Sequence, residues 1–471
     1  MVLVLILVVL LSTSFANYAL TTKTTNIIYG SAPYLTFDGG RTRVTNTEAL
    51  LGISLSDGRK FTPTTNNSSD NPIVLPVAGQ SFNDIGMLVP TNTNYIALSS
   101  LIGTPYNYWG DDDGDGQGVN GVTATGSLNL SIVDKDNNPV SRSEVLTICK
   151  APYKLTLSNG EGRLTTRYGV PNESRFSAGN ATYYINPNIS SPAICYARPS
   201  LGGNSGLSAA VWKPGKGFLT QSVTPSSYGL NFPTTGAHNL YFDLDISGNN
   251  QALSWAPVSH GGITATMTDS TSTSVRVTLT GPAVTDPNKW RSDSPGGIAM
   301  PSLPQVFELV GRDSSGNAVV KYGFVLKWWF VNRGNYIRSS GLGLLDWCNK
   351  IGGYLPIAKD LTNGSCPWRF TKPSQCRDYF VWPNSTSASP DSRYRRHIGA
   401  GFFTEWGRVD YYRGANFIRK MYWTKTPYSL NDLSSGNVVY VVNSDGAMGH
   451  TDAREQHDVG GLCVYPYPYP Y

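Results

Sequence analysis

Charge is scarce in this sequence. Asp, Glu, Lys and Arg together make up only 15% of its 471 residues. That argues against long solvent-facing helices, which need charged and strongly helix-forming side chains on their outer face. Long apolar runs are lacking as well. After the first dozen residues nothing approaches the roughly 20 apolar residues that carry a helix across a bilayer, so no membrane helix is expected in the mature chain. Catalytic signatures are also missing. There is no G-x-S-x-G elbow and no H-E-x-x-H, which argues against the hydrolases and metalloproteases built on them. No C-x-x-C pair is present to start a structural zinc site. The chain is therefore read as a non-enzyme. The remaining enzymatic alternative is a carboxylate pair for glycoside cleavage that includes Glu405 or Asp410.

The sequence is rich in turn formers and aromatics: 49 Gly, 30 Pro and 27 Tyr. That composition suits short strands joined by turns. The length suggests about three domains. Val2–Leu11 is an unbroken apolar run, followed by Ser14 and Ala16 in an A-x-A-like arrangement. Residues 1–16 read as a secretory signal peptide, cut after Ala16 or Ala19. The run lacks the usual preceding Lys or Arg. Export agrees with six cysteines, an even number that implies disulfides. Closeness in sequence favours Cys149–Cys195, Cys366–Cys376 and Cys348–Cys463.

Period-2 alternation predicts strands at Leu128–Ile132, Leu240–Ile246, Ile263–Met267 and Val275–Leu279. Asp136-Asn137-Asn138-Pro139 predicts a turn after the first of these. The last three fall within forty residues and suggest a small immunoglobulin-like β-sandwich. Two stretches look like boundaries: Gly-, Pro- and Ser-rich residues 198–237, and residues 281–305 with Pro282, Pro287, Pro295, Pro301 and Pro304. The expected division is a β-rich domain over 17–205, a sandwich over 206–300 and a third domain over 301–471. In the third, Val306–Val310 and Phe324–Val331 read as a hairpin. Leu342–Ile351 is the one plausible helix, ended by Gly352-Gly353. Tyr422–Thr424 and Val438–Val442 return to strand, ahead of a Tyr-Pro tail.

Asp111, Asp113 and Asp115 lie at alternate positions before Gly116, like the start of a calcium loop. The bidentate Glu expected at the twelfth position is replaced by Val122. Two readings stay open, a solvated acidic turn and a structural calcium site. Calcium is the one cofactor the sequence offers. His450, Asp452, Glu455 and His457 lie close together but match no metal motif, and polar loop residues explain them more simply. Residues 301–471 carry more Lys and Arg than Asp and Glu, 19 against 13. Arg393, Arg395, Arg396, Arg408, Arg413 and Arg419 crowd a stretch containing Phe402, Phe403, Trp406, Tyr411, Tyr412 and Tyr422. Arg and aromatics are enriched in binding hot spots. Ordinary loop packing with a cationic edge is the competing account. Nucleic acid is a poor partner for an exported chain.

The third segment resembles a C-type-lectin-like domain. The resemblance rests on Trp347-Cys348-Asn349-Lys350-Ile351-Gly352-Gly353-Tyr354-Leu355-Pro356, on Tyr422-Trp423-Thr424-Lys425-Thr426-Pro427 with Val438–Val442, and on Cys463. It implies a Cys348–Cys463 bridge closing a long loop region. It departs from sugar-binding lectins in lacking their E-P-N or Q-P-D loop and W-N-D strand. Together with the sandwich, it is similar to the adhesion region of intimin- and invasin-like bacterial adhesins, although their N-terminal outer-membrane barrel has no counterpart here. The resemblance implies a mainly β, multi-domain protein on the extracellular or outer-membrane surface of a bacterium. It implies a receptor bound through residues 301–471, with Trp406, Tyr411, Tyr412, Arg413, Arg395 and Arg396 as the contact groups. That receptor is expected to be a protein, with a glycan as the alternative of a secreted carbohydrate-binding module. A stalk that binds neither is the third reading.

Overall fold

Where apolar residues recur at every second position, the chain can bury one face of a strand and keep the other wet. The computed structural model describes residues 29–114, 121–188, 192–202, 205–365, 387–390, 392–427 and 438–466. The signal segment, Asp115, Cys366, Cys376 and the Tyr-Pro tail lie outside them. Strand outweighs helix, 37% against 11%, so the protein is mainly β and multi-sheet. Among the described residues no helix is long and apolar enough to cross a membrane. Contacts group the chain into two units, residues 1–188 and 189–471, each with its own hydrophobic cluster.

In the first unit, five strands run in the order Ile73–Val74, Gly179–Asn186, Tyr153–Asn159, Ser127–Val133, Tyr95–Ala97. The first pair is parallel and the rest antiparallel. Register sets Leu130 opposite Leu157 and Leu157 opposite Ala181, with Ile132, Leu155 and Tyr183 forming the next row. All six are buried. Burial of each large aliphatic or aromatic side chain contributes about 1.5–3 kcal/mol. The predicted turn forms as Asp134 accepts the N–H groups of Asp136 and Asn138. Asn137 takes the left-handed conformation that Asn tolerates, φ 64°. Residues Glu173–Phe176, Gly162–Thr166 and Val122–Thr125 make a second, three-stranded sheet.

The second unit is built on a seven-stranded antiparallel sheet. Its order is Trp212–Lys213, Gly217–Leu219, Ala193–Arg198, Leu240–Ser247, Ser274–Thr280, Ile263–Thr268, Val258–His260. Facing it is a sheet of Ser254–Trp255, Gln305–Arg312 and Ala318–Leu326. Phe242 of the first sheet meets Tyr322 and Phe324 of the second, with ring centroids 6.4 and 6.0 Å apart. This moves both expected boundaries. The 193–198 strand belongs to the second unit, because it pairs with Leu240–Ser247. The expected hairpin forms as Gln305–Arg312 against Ala318–Leu326. It completes the sandwich rather than opening the third domain.

The prolines of 281–305 do interrupt the sheet, yet the stretch is no free linker. Within it the short helix Pro287–Arg291 buries Trp290, whose backbone carbonyl accepts from Arg333 Nε at 2.7 Å. Trp328–Asn332 then leaves the hairpin for a third sheet, parallel to Thr235–Ala237 and antiparallel to Leu462–Tyr465. The sandwich and the C-terminal segment are therefore joined in one sheet. The helix Gly341–Ile351 begins at Ser340, whose side chain caps Gly343 N–H, and ends at Gly352 with φ 93°. It buries Leu344, Trp347, Cys348 and Ile351. Cys348 is bonded to Cys463, the pairing expected from both locality and resemblance. Cys149 and Cys195 are also disulfide-bonded. A fourth sheet runs Met448–Asp452, Val438–Asn443, Met421–Pro427, Val459–Gly460.

Candidate functional site

The stretch rich in Arg and aromatics sorts itself by burial. Phe402–Trp406 is a short helix between two glycines with positive φ, Gly401 and Gly407. All five of its side chains are buried. Phe402 packs on Phe330 at 4.4 Å between centroids. Trp406 packs on Phe232 at 5.0 Å and on Phe242 at 6.1 Å. Glu405 is fully buried, and its carboxylate accepts from the backbone N–H and the hydroxyl of both Thr234 and Thr235. Gly399 N–H is a fifth donor, at 2.8 Å. Burial pushes the Glu405 carboxyl up, against the pull of those donors. Glu405 therefore ties helix to strand inside the core and is not available as a catalytic acid.

Arg396 is equally enclosed. Its guanidinium lies 4.2 Å above the Trp212 ring, and Nη2 donates to Ser200 O at 3.2 Å. Burial pushes its pKa down. Gly407 is required beside it, because a Cβ there would lie 2.0 Å from Arg396 Nη1. Tyr412 donates to Trp406 O at 2.9 Å and accepts Ser200 N–H at 2.7 Å. It stands edge-on to Tyr241, with centroids 5.0 Å apart.

Above this floor is a groove of about 310 Å³, lined by Arg198, Pro199, Ser200, Leu201, Tyr241, Asp243, Tyr411 and Tyr412. Its outer wall is Tyr411, 55% exposed. Arg408 covers one side of that ring, with Cζ 4.7 Å from the centroid. Arg408 is itself locked on Asp410 by two hydrogen bonds of 2.8 and 2.6 Å, and this partner raises its pKa. Gly202 leaves room for the Tyr411 ring, since a Cβ there would lie 2.7 Å from Cε2. The inner wall is Tyr241 on the wet face of its strand, with Arg276 stacked at 4.5 Å. Arg276 grips Asp243 through two hydrogen bonds, at 2.9 and 3.2 Å, and Arg198 reaches Asp245 at 3.1 Å. The result is a pre-ordered aromatic slot with ion-paired Arg and Asp along its floor. It can take a flat or branched side group and offer it hydrogen bonds at low ordering cost.

Of the expected contact groups, Trp406, Tyr412 and Arg396 are 0%, 4% and 1% exposed, so three of the six build the site from inside. Tyr411 and Arg413 are exposed, and Arg395 is partly exposed with Nη1 on Ser205 Oγ at 2.6 Å. The sequence reading named Arg408 in the Arg-rich stretch but missed Tyr241, Asp243 and Arg198. Tyr241 did carry a signal, as an aromatic on the polar face of an alternating strand.

In the first unit, Asp112 is paired with Arg43 and accepts from Tyr34 at 3.1 Å. Asp113 accepts Ser31 N–H at 2.5 Å. Among the described residues, which leave out Asp115, no group of three or more His, Cys, Asp or Glu could hold a metal ion. His457 pairs with Glu455 at 3.2 Å and Asp452 with Arg454 at 2.7 Å.

Fold and groove define a mainly β, multi-sheet protein with an aromatic-walled surface groove. No protein-family model matches the chain and no curated protein matches it. Among solved structures it is similar to a C-terminal 282-residue fragment of intimin in complex with the translocated intimin receptor intimin-binding domain, at 12% identity and TM-score 0.31 over 74% of this chain and 94% of that one. It is also similar to an EHEC O157:H7 intimin mutant, at 13% identity and TM-score 0.28 over 50% and 88%. A third likeness is SGBP-B of a Bacteroides ovatus mixed-linkage glucan utilization locus, at 12% identity and TM-score 0.14 over 44% and 62%.

Proposed function

We propose that this chain is an exported recognition protein of the adhesin kind, which binds a protein receptor on a cell surface through the groove beside Tyr411. The observation that carries the reading is the exposed Tyr411 ring, braced by the Arg408–Asp410 pair at the mouth of a groove walled by Tyr241 and Tyr412. An exposed aromatic costs little entropy to order when its neighbours already hold it. A partner's apolar or aromatic side chain fits between the tyrosines, and its backbone or a polar group meets Asp243 and Arg198. Arg413 and Arg395 belong to the rim, where they steer an acidic partner face. Calcium on Asp111 and Asp113 plays no part in this site.

The test is binding of the whole secreted chain to cultured epithelial cells, read by flow cytometry. Tyr411→Ala should weaken binding by roughly 2 kcal/mol, about thirtyfold, with an unchanged melting curve. Arg413→Glu should lose less and show weaker dependence on salt than the parent. Treating the cells with protease should abolish binding, and treating them with glycosidases should not. Undiminished binding by folded Tyr411→Ala would remove the groove from the account. Loss on glycosidase treatment alone would favour the glycan alternative.

A further inference from the structure

A second groove lies in the first unit, with a volume of about 350 Å³. Its lining comes from residues 83, 91–94 and 141–143, and every side chain there is an amide, a hydroxyl or a guanidinium. The guanidinium is that of Arg142, only 7% exposed. Arg142 Nη1 donates to Val89 O at 3.0 Å and to Pro90 O at 2.6 Å. Its Nε is buried and carries no hydrogen bond. The lining holds no carboxylate, and Glu144, two residues further on, is paired with Lys150. Burial alone lowers the Arg142 pKa.

A buried guanidinium without an acid is costly. Here two backbone carbonyls hold it in place without neutralising it, so it is set to receive a negative charge from outside. Its planar fork suits a carboxylate. Around it the hydroxyls and amides of Thr91, Asn92, Asn94, Ser141 and Ser143 are exposed, and they can exchange hydrogen bonds with sugar hydroxyls. The lining contains no apolar or aromatic side chain, which a pocket for a protein side chain would need. We propose that Arg142 and the ring of amide and hydroxyl side chains around it bind a carboxylate-bearing sugar of an acidic glycan. This site shares no residue with the Tyr411 groove and stands whether or not that reading holds.

The experiment is calorimetric titration of the whole chain at low salt with matched sugars: sialyllactose against lactose, and a glucuronic-acid-terminated disaccharide against its glucose-terminated counterpart. At least one acidic sugar should bind, at least about tenfold more tightly than its neutral match. Arg142→Gln should weaken that binding by about tenfold or more. Because Arg142 also ties down Val89 and Pro90, a second variant leaves it in place. Asn94→Trp with Ser143→Trp, both at exposed positions, fills the groove and should abolish binding with an unchanged melting curve. Tyr411→Ala should bind the acidic sugar as the parent does. The inference is overturned if no acidic sugar binds, if acidic and neutral sugars bind alike, or if the groove-filled variant still binds. It is also overturned if inorganic sulfate or a carboxylate-rich peptide displaces the sugar at equal concentration.

Discussion

Glu405 illustrates what single residues do in this protein. Its carboxylate gathers five donors from Thr234, Thr235 and Gly399 where no water reaches. Glu405→Ala leaves those donors unmet and opens a void, so it should cost about 3–5 kcal/mol in urea unfolding. The pH dependence has a definite sign. Burial holds the folded-state pKa above the unfolded value of about 4.3. The folded state therefore retains the proton longer, and the stability this group contributes is fully present in acid and lost as pH rises through the raised value. The gap between parent and Glu405→Ala should be widest below the unfolded value and narrow as pH rises through the raised one; a gap that widens with pH would contradict the assignment. None of this was legible in the sequence. Residues 393–417 have neither a period of 2 nor one of 3.6, so local pattern does not say which side chains face inward. Composition drew attention to the stretch, but only the structure shows that Arg396, Trp406 and Tyr412 are buried and Tyr411 exposed.

The strands were legible because their alternation is itself the cause of the fold. Leu240–Ser247 buries every second residue without exception, and the same pattern fixed Ser127–Val133 and Ser274–Thr280. The helix over Gly341–Ile351 was legible from its apolar face and its glycine stop. The pairing partners were harder to read. Gln305–Leu326 forms a local hairpin, but which sheet that hairpin faces depends on Phe242 meeting Phe324, a contact more than eighty residues apart in sequence. Proline content suggested a boundary near 300, yet Trp290 anchors that stretch in the core. The Cys348–Cys463 bridge spans 115 residues. Loop-closure entropy for so long a loop is worth roughly 4–5 kcal/mol. Cys348→Ala with Cys463→Ala should therefore lower unfolding stability by about 3–5 kcal/mol, read from denaturant melts; a loss below about 1 kcal/mol would mean that the fourth sheet and the helix hold that segment without it.

At the scale of the whole molecule, the chain is two compact units, and the second carries the Tyr411 groove. That groove draws Arg198–Leu201, Tyr241 and Asp243 from the sandwich and Tyr411–Tyr412 from the C-terminal segment. The two parts share the sheet of Thr235–Ala237, Trp328–Asn332 and Leu462–Tyr465. Residues 301–471 alone lack six of the eight residues that line the groove and one strand of that sheet. They also lack Thr234 and Thr235, which supply four of the five donors to the buried Glu405 carboxylate. The most direct measurement is the cell-binding affinity of three secreted proteins, the whole chain, residues 189–471 and residues 301–471. The account predicts that 189–471 binds as tightly as the whole chain and that 301–471 neither folds cooperatively nor binds. Binding by 301–471 at the affinity of the whole chain would contradict it.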